Sequence, residues 1–335
     1  MSATGIGSMP GVHVRESVNI ITGELPEFIH VPELPARGPG ADLIGRTAAL
    51  LAQVAPDLAV DTVPTGWRVI DAPGATMRRA LSWLHEDLEC LEEAAAGYTG
   101  IVKAQLAGPW TLAAMIEGRN GERLIADSGA TRDIAQALAV AAADHASTLQ
   151  RRLPQATKLV LQFDEPMLGQ VLDGTIASAS GLSRYRAIEE PVVVSGMATV
   201  IAAQSALVGI HTCERRPRVN VLRKSGAQFL SIDLTVVGDA CDEELGVALE
   251  DGCQLFAGVV PVTAERAGVA QVARPILALG ERLGLSELIA MNTVVTPQCG
   301  LAGADPSWAV SAYRVCQQVS RGLRDEKGER RGDES

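Results

Sequence analysis

Leu207-Val208-Gly209-Ile210-His211-Thr212-Cys213 is a short, β-rich apolar run that ends in an imidazole and a thiol two residues apart. It closes a charge-free stretch, residues 191–213, that is long enough to span a bilayer. Ser195, Gly196, Thr199, Gln204, Ser205 and Gly209 interrupt that stretch, and its polar end argues against a membrane span. A helix followed by a buried strand fits better, with the reactive groups where the strand stops.

Outward from this run, the same unit repeats. Candidate strands fall at residues 5–8, 28–32, 101–106, 159–163, 207–211, 229–232, 255–259 and 293–295. Amphipathic stretches at 41–53, 75–95, 110–117, 132–152, 200–206, 216–224, 264–283 and 307–321 read as helices. Short strands alternating with longer helices are the pattern of a parallel sheet built from βα units. Eight strands with intervening helices predict an α/β fold, a single (β/α)8 TIM barrel, over residues 1–323. A further strand pair, around 58–63 and 67–70, is expected to be an insertion beside the barrel mouth. No fixed-period repeat and no Pro- or Ser-rich linker marks off a second domain. Residues 324–335 contain no apolar side chain, so burial cannot offset their ordering entropy and a charged, flexible tail is expected.

Hydrophobic residues at 47% with charged residues at 21% exclude a chain disordered throughout. Lys+Arg 29 against Asp+Glu 40 gives a net charge of −11, and aromatics are only 3%. Neither a basic groove nor a stacking platform for nucleic acid is available, and a soluble protein without nucleic-acid or membrane partners is expected. Met1-Ser2-Ala3-Thr4-Gly5 has no basic segment leading into an apolar one, so the expected location is cytoplasmic. Six scattered cysteines are then expected to stay reduced.

In such a barrel the reacting groups belong at the C-terminal strand ends. Three ends carry unusual residues: His211 and Cys213 after the fifth strand, Asp233 closing the sixth, and Cys299 in Thr296-Pro297-Gln298-Cys299-Gly300-Leu301 after the eighth. Residues i and i+2 of an extended segment point the same way, so His211 and Cys213 can reach one ion while Thr212 faces away. One imidazole, two thiolates and a carboxylate suit tetrahedral Zn2+ rather than Mg2+ or Ca2+. A His-x-Cys alone would read as a buried imidazole beside an inert thiol. Cys299, in a tight turn at another strand end, is poorly explained as core filling and shifts the balance towards a metal. Cys90 and Cys316 lie in helical patterns, Cys253 starts a strand and Cys241 sits in an acidic loop, so these read as structural or exposed. His13, His30, His85 and His145 have no partner cluster and fit ordinary surface or core roles.

Gly5-Ile6-Gly7-Ser8-Met9-Pro10, Lys103-Ala104-Gln105-Leu106-Ala107-Gly108-Pro109, Gln162-Phe163-Asp164-Glu165-Pro166, His211-Thr212-Cys213 and Pro297-Gln298-Cys299-Gly300-Leu301 follow in sequence. Their order and spacing resemble the C-terminal catalytic domain of cobalamin-independent methionine synthase over nearly the whole chain. Related zinc thiol-methyltransferases and uroporphyrinogen decarboxylases share that barrel, and fold alone does not choose among them. The resemblance implies a zinc cofactor held by His211, Cys213 and Cys299. The family's fourth ligand is a glutamate; the matching Asp233, one methylene shorter, could bind after a small backbone shift, act through water or cap the strand end. Glu214 and Glu165 are less well placed substitutes. The resemblance also implies a homocysteine pocket. Ser8 and the Ile6-Gly7 backbone would hold the carboxylate, and Asp164 and Glu33 the ammonium group. Asp164, Cys213 and Cys299 are then the residues expected to take part in catalysis.

The implied reaction forms methionine by methyl transfer to the zinc-bound thiolate of homocysteine. A free thiol of pKa near ~8.5 is only a few per cent thiolate at neutral pH, and coordination removes that limit. Two cysteinates and a carboxylate favour an electron-rich sulfur over the hydroxide of a hydrolytic zinc site. Methyltetrahydrofolate leaves from nitrogen and needs a proton. Full-length relatives place a histidine after the seventh strand, where this chain reads Ala257-Gly258-Val259-Val260-Pro261, and carry an N-terminal barrel for which this chain has no room. A methylcorrinoid presented by a partner protein is therefore the expected donor, with methyltetrahydrofolate the second choice. Rival readings are a zinc methyltransferase acting on another thiol, such as coenzyme M, and a protein that binds zinc or homocysteine without turnover.

Overall fold

Eight strands carry the architecture: β1 (Ser2–Ala3), β2 (Phe28–His30), β3 (Ile101–Ala107), β4 (Lys158–Asp164), β5 (Leu207–Thr212), β6 (Phe229–Asp233), β7 (Gln254–Val260) and β8 (Thr293–Pro297). The computed structural model describes residues 2–263 and 268–332, with side chains through Arg324. From β2 to β8 each strand pairs in parallel with its sequence neighbour, and β8 pairs in parallel with β1. β1 and β2 flank the seam, which the following residues close. Ser8 bridges Glu33 there, the Met9 amide donates to the Glu33 carbonyl at 2.8 Å, and the Glu33 amide donates to the Gly7 carbonyl at 3.1 Å. The α/β barrel expected from the sequence is the observed fold.

The first strand departs from expectation: regular pairing occurs at Ser2–Ala3, not at residues 5–8. His30 and the Tyr313 hydroxyl fill the space beside Gly5, where a Cβ would collide with both, so glycine here marks a close approach just past the regular pairing. Tyr313 reaches the seam from the last helix, and its hydroxyl lies 2.8 Å from His30 Nε2.

The crossover from β2 to β3 holds the insertion. Helix Leu43–Val54 opens on Asp42, whose side chain accepts from the Ile44 and Gly45 amides. Strands Val60–Val63 and Gly66–Val69 then form an antiparallel hairpin, joined by Ile116–Glu117, before helix Ala75–Ala94 returns to the barrel. The Trp67 ring lies against Gly45, and Thr47 of the same helix accepts from the Ala107 amide at 2.9 Å, at the C-terminal end of β3. The hairpin therefore stands beside the mouth, as the sequence suggests.

The helix expected at 200–206 runs instead over Glu190–Ala202, starting where an acidic residue and Pro191 occupy its first turn. Helices Val14–Glu24, Leu168–Asp173, Asp242–Glu250 and Ser286–Asn292 are additional; the last three have nine residues or fewer, too short for a helical period to register. The helix expected at 264–283 is seen as Val269–Leu283, with residues 264–267 outside the described ones. The final helix, Pro306–Gly332, continues as helix into the segment expected to be a flexible tail; residues 333–335 lie outside the described ones. Among the described residues, no helix is long and apolar enough to cross a membrane.

Strand alternation layers the barrel interior. Phe28, Val160, Phe229, Phe256 and Val294 form a separate apolar cluster at the N-terminal ends, with Ile101 and Leu207 packed on it. Two residues further along stand His30, Lys103, Gln162, Ser231 and Thr296, and two further again Gln105, Asp164, His211 and Asp233. The interior thus changes from apolar floor to polar mouth within four residues of strand.

Candidate metal centre

His211 is the third inward residue of β5 and is almost fully buried at the mouth. The adjacent strand fixes its ring: Nδ1 lies 2.9 Å from the Ser231 hydroxyl and 3.2 Å from the Ser231 carbonyl. A carbonyl only accepts, so Nδ1 carries the proton and Nε2 presents its lone pair. Nε2 faces sulfur, 3.1 Å from Cys213 Sγ and 3.9 Å from Cys299 Sγ. All three ligand atoms lie within 4.8 Å of one another. Ligands bound ~2.0–2.3 Å from a tetrahedral zinc stand roughly 3.5–3.8 Å apart, so this donor set and spacing fit the ion with little movement.

Cys299 arrives from the far end of the sequence in a turn tied on both sides. The Gln298 amide donates to the Val260 carbonyl at 2.9 Å, and the Leu301 amide donates to the Ser8 carbonyl at 2.8 Å. A Cβ at position 300 would run into the Ser8 hydroxyl, so a larger residue there would have to turn that side chain aside. One turn therefore positions both the second sulfur of the cluster and the N-terminal motif. Hydrogen bonding between the sulfurs pushes the Cys213 thiol up and draws Cys299 down to about 4. Burial opposes charge on His211, but Cys299 and Asp164 outweigh it and the imidazole is raised.

Asp233 ends β6 on the same inward side but is not in the group of three. Its Oδ1 accepts from the Thr235 amide at 2.9 Å and the Thr235 hydroxyl at 2.6 Å. Burial raises its carboxyl against these hydrogen bonds, and its charge helps to raise the Cys213 thiol. Of the four expected ligands, three converge and Asp233 stands beside them with one oxygen engaged in a turn.

The residues expected to form the amino-acid pocket gather on the seam side of the mouth. The Ile6 carbonyl accepts from Lys103 Nζ at 2.6 Å and from Gln162 Nε2 at 3.1 Å. Lys103 also donates to Gln162 Oε1 at 2.9 Å, and Gln162 Nε2 donates to Asp164 Oδ1 at 2.7 Å. Gln105 Nε2 donates to the Val31 carbonyl at 2.9 Å and to Glu33 Oε1 at 3.0 Å. Ile6, Gly7 and Ser8 are thereby linked to Glu33 across the seam and to Asp164 through Gln162. Burial pushes Asp164 up to about 7 against His211 and Lys103, raises Glu33 against Arg46, and lowers Lys103 to about 8 against the two carboxylates. Arg46 itself is held by the Pro32 carbonyl at 2.7 Å and by Asp87 at 3.1 Å.

Residues 1–321 match the family described as cobalamin-independent synthase, catalytic domain. The chain belongs to this family. No curated protein matches the sequence. In fold, this member of the family is similar to a solved B12-independent methionine synthase from Shewanella sp. W3-18-1 in complex with selenomethionine. That likeness has 12% identity and a TM-score of 0.65, over 97% of this chain and 98% of the other. Membership implies methyl transfer to homocysteine from a methyl donor.

In this family member, Glu165 and Glu214, like Asp233, lie outside the group of His211, Cys213 and Cys299. Glu165 accepts from the Trp110 and Thr111 amides at 2.9 and 2.8 Å and from the Thr111 hydroxyl at 2.7 Å, tying down the start of helix Pro109–Met115. Glu214 accepts from the Gly169 amide at 2.9 Å. Cys90, Cys241, Cys253 and Cys316 are buried away from the mouth cluster. The residues that sequence reasoning passed over are Lys103, Gln105, Gln162 and Ser231. A signal existed: Lys103-x-Gln105 and Gln162-x-Asp164 set polar groups at the strand period inside otherwise apolar runs, a costly arrangement without a purpose.

Proposed function

We propose that this chain is a zinc-dependent homocysteine methyltransferase that forms methionine. The observation that carries this reading is the convergence of His211 Nε2, Cys213 Sγ and Cys299 Sγ within 4.8 Å, beside the buried carboxylates Asp164 and Glu33. Zinc bound there supplies the Lewis acidity that keeps a substrate thiol deprotonated at neutral pH. His211, Cys213 and Cys299 hold the ion, and Ser231 keeps the imidazole turned towards it. Asp233 is the candidate for a fourth, labile ligand, with Oδ1 shared with Thr235.

Homocysteine is held by its amino-acid end. Ser8 and the Ile6-Gly7 backbone receive the carboxylate, and Asp164 and Glu33 receive the ammonium. The charges support this: Lys103 offsets one of the two carboxylates, Arg46 is already engaged by Asp87, and an ammonium offsets the other. Fixing the substrate at this end orients its sulfur for in-line attack on a methyl carbon.

The donor we propose is a methylcorrinoid carried by another protein, a substrate rather than a group held by this chain. A nitrogen leaving group needs a proton, and Ala257-Gly258-Val259-Val260-Pro261 offers no histidine to give one. Methyltetrahydrofolate is the alternative donor.

Zinc-loaded protein should form methionine from homocysteine and methylcobalamin, and Cys299→Ser should lose both stoichiometric zinc and product. Product only from methyltetrahydrofolate overturns the donor; full activity in Cys299→Ser overturns the metal centre. Asp164→Asn should raise the homocysteine requirement with zinc retained, and unchanged homocysteine kinetics would favour a different thiol substrate.

A further inference from the structure

We propose that Gln105 is a third acceptor for the substrate's ammonium group and sets the preference of this site for an amino-acid thiol. The inference rests on the homocysteine reading above. Gln105 is an inward residue of β3 and only 2% exposed. Its Nε2 donates to the Val31 carbonyl and to Glu33 Oε1. The Val31 carbonyl can only accept, so the carboxamide nitrogen must face it and Oε1 must face elsewhere. That Oε1 is buried and has no hydrogen-bond partner.

The carboxamide also lies against the proposed binding loop: a Cβ at Gly7 would run into Gln105 Cγ, Cδ and Nε2. An unpaired buried acceptor destabilises the free protein, and a donor that reaches it recovers that cost. An ammonium brings three N–H donors. Glu33 and Asp164 supply two acceptors, and Gln105 Oε1 supplies the third. A neutral acceptor is suited to this place. With Lys103 and the substrate ammonium facing Glu33 and Asp164, the layer is balanced, whereas a third carboxylate would leave an uncompensated buried charge.

The test is calorimetric titration of zinc-loaded protein with homocysteine and with 4-mercaptobutanoate, which keeps the thiol and carboxylate but lacks the ammonium. Gln105→Met retains the side-chain length and removes the carbonyl. Homocysteine Kd should rise about ten-fold or more, while 4-mercaptobutanoate shifts by less than about two-fold. Equal weakening of both thiols means that Gln105 only supports the architecture, and no change in either means that it makes no contact; both results overturn the proposal. Failure of the wild type to bind homocysteine overturns the homocysteine reading itself. Gln105→Leu, read with the same pair of thiols, replaces Gln105→Met should the latter not fold.

Discussion

Inward side chains at the floor and at the mouth of the barrel come from the same strands, only four residues apart, yet share almost no chemistry. At the floor, Phe229 and Phe256 stack with ring centroids 4.1 Å apart, and Phe28 meets Phe256 edge-on at 5.8 Å. Burial there removes apolar surface from water and stabilises the fold. At the mouth, the same burial pushes Asp164 and Glu33 up and Lys103 down, so each charge is tolerated only through its partners. Fold stability and ligand chemistry are thus separated along the barrel axis, and substitutions at one end should leave the other end's property intact.

The largest expected effect is at the floor. Phe256→Ala removes the ring shared by both aromatic contacts and should cost about 3–5 kcal/mol of stability in denaturant titrations. Zinc affinity, measured by chelator competition on the protein that remains folded, should stay within about two-fold, since Gly258 and Val260 lie between Phe256 and the mouth. A parallel loss of zinc affinity would show that floor and mouth are one cooperative unit.

At the mouth the direction reverses. Ser231→Ala removes the hydroxyl that lies 2.9 Å from His211 Nδ1 and should weaken zinc binding by about 10–100-fold. The denaturation midpoint without added zinc should barely move, because the neighbouring Ser231 carbonyl still receives the Nδ1 proton. Wild-type zinc affinity in this variant would mean that the carbonyl alone orients the ring.

Much of this contrast was readable in the sequence. Strands β2 to β8 are short apolar runs that periodicity alone would not separate from buried helix, and their length and regular alternation with longer helical stretches mark them as strands. His211 and Cys213 were legible because two ligand types at strand spacing share a side, and Cys299 because a cysteine in a tight turn is a poor core residue. Lys103 and Gln105 stood out only as polar residues at strand spacing, and Ser231 did not stand out at all. Both faces of a barrel strand are buried, so a polar residue in such a strand does not announce whether it points to the interior or to the helices. Asp233 was found but its geometry was not: Thr235, two residues on, competes for its carboxylate through a local turn that composition and spacing do not reveal.

The smallest effect tests the layer between the two ends. His30 is fully buried, and burial, then the Lys103 charge, lowers its pKa from the ordinary 6.5 to about 3. Its Nδ1 faces the Val31 carbonyl and its Nε2 the Tyr313 hydroxyl, so the neutral ring is already satisfied. Between pH 3 and 6.5 the unfolded chain therefore binds a proton at this residue that the folded chain does not. Stability from His30 is complete above pH 6.5 and is lost as pH falls towards 3. His145, lowered to about 3 by burial and Arg46, acts in the same direction. Asp164 and Glu165, raised to about 7, act in the opposite one, because below that pH the folded chain holds their protons more tightly than the unfolded chain. The whole-protein slope mixes these contributions, so the difference between wild type and His30→Gln is the informative quantity. Denaturation free energies measured from pH 6 to pH 4 should show the wild type losing up to about 1.4 kcal/mol per pH unit more than the variant. Identical slopes would mean that His30 takes up a proton in the folded barrel, and that the layer around Lys103 is open to water rather than sealed between floor and mouth.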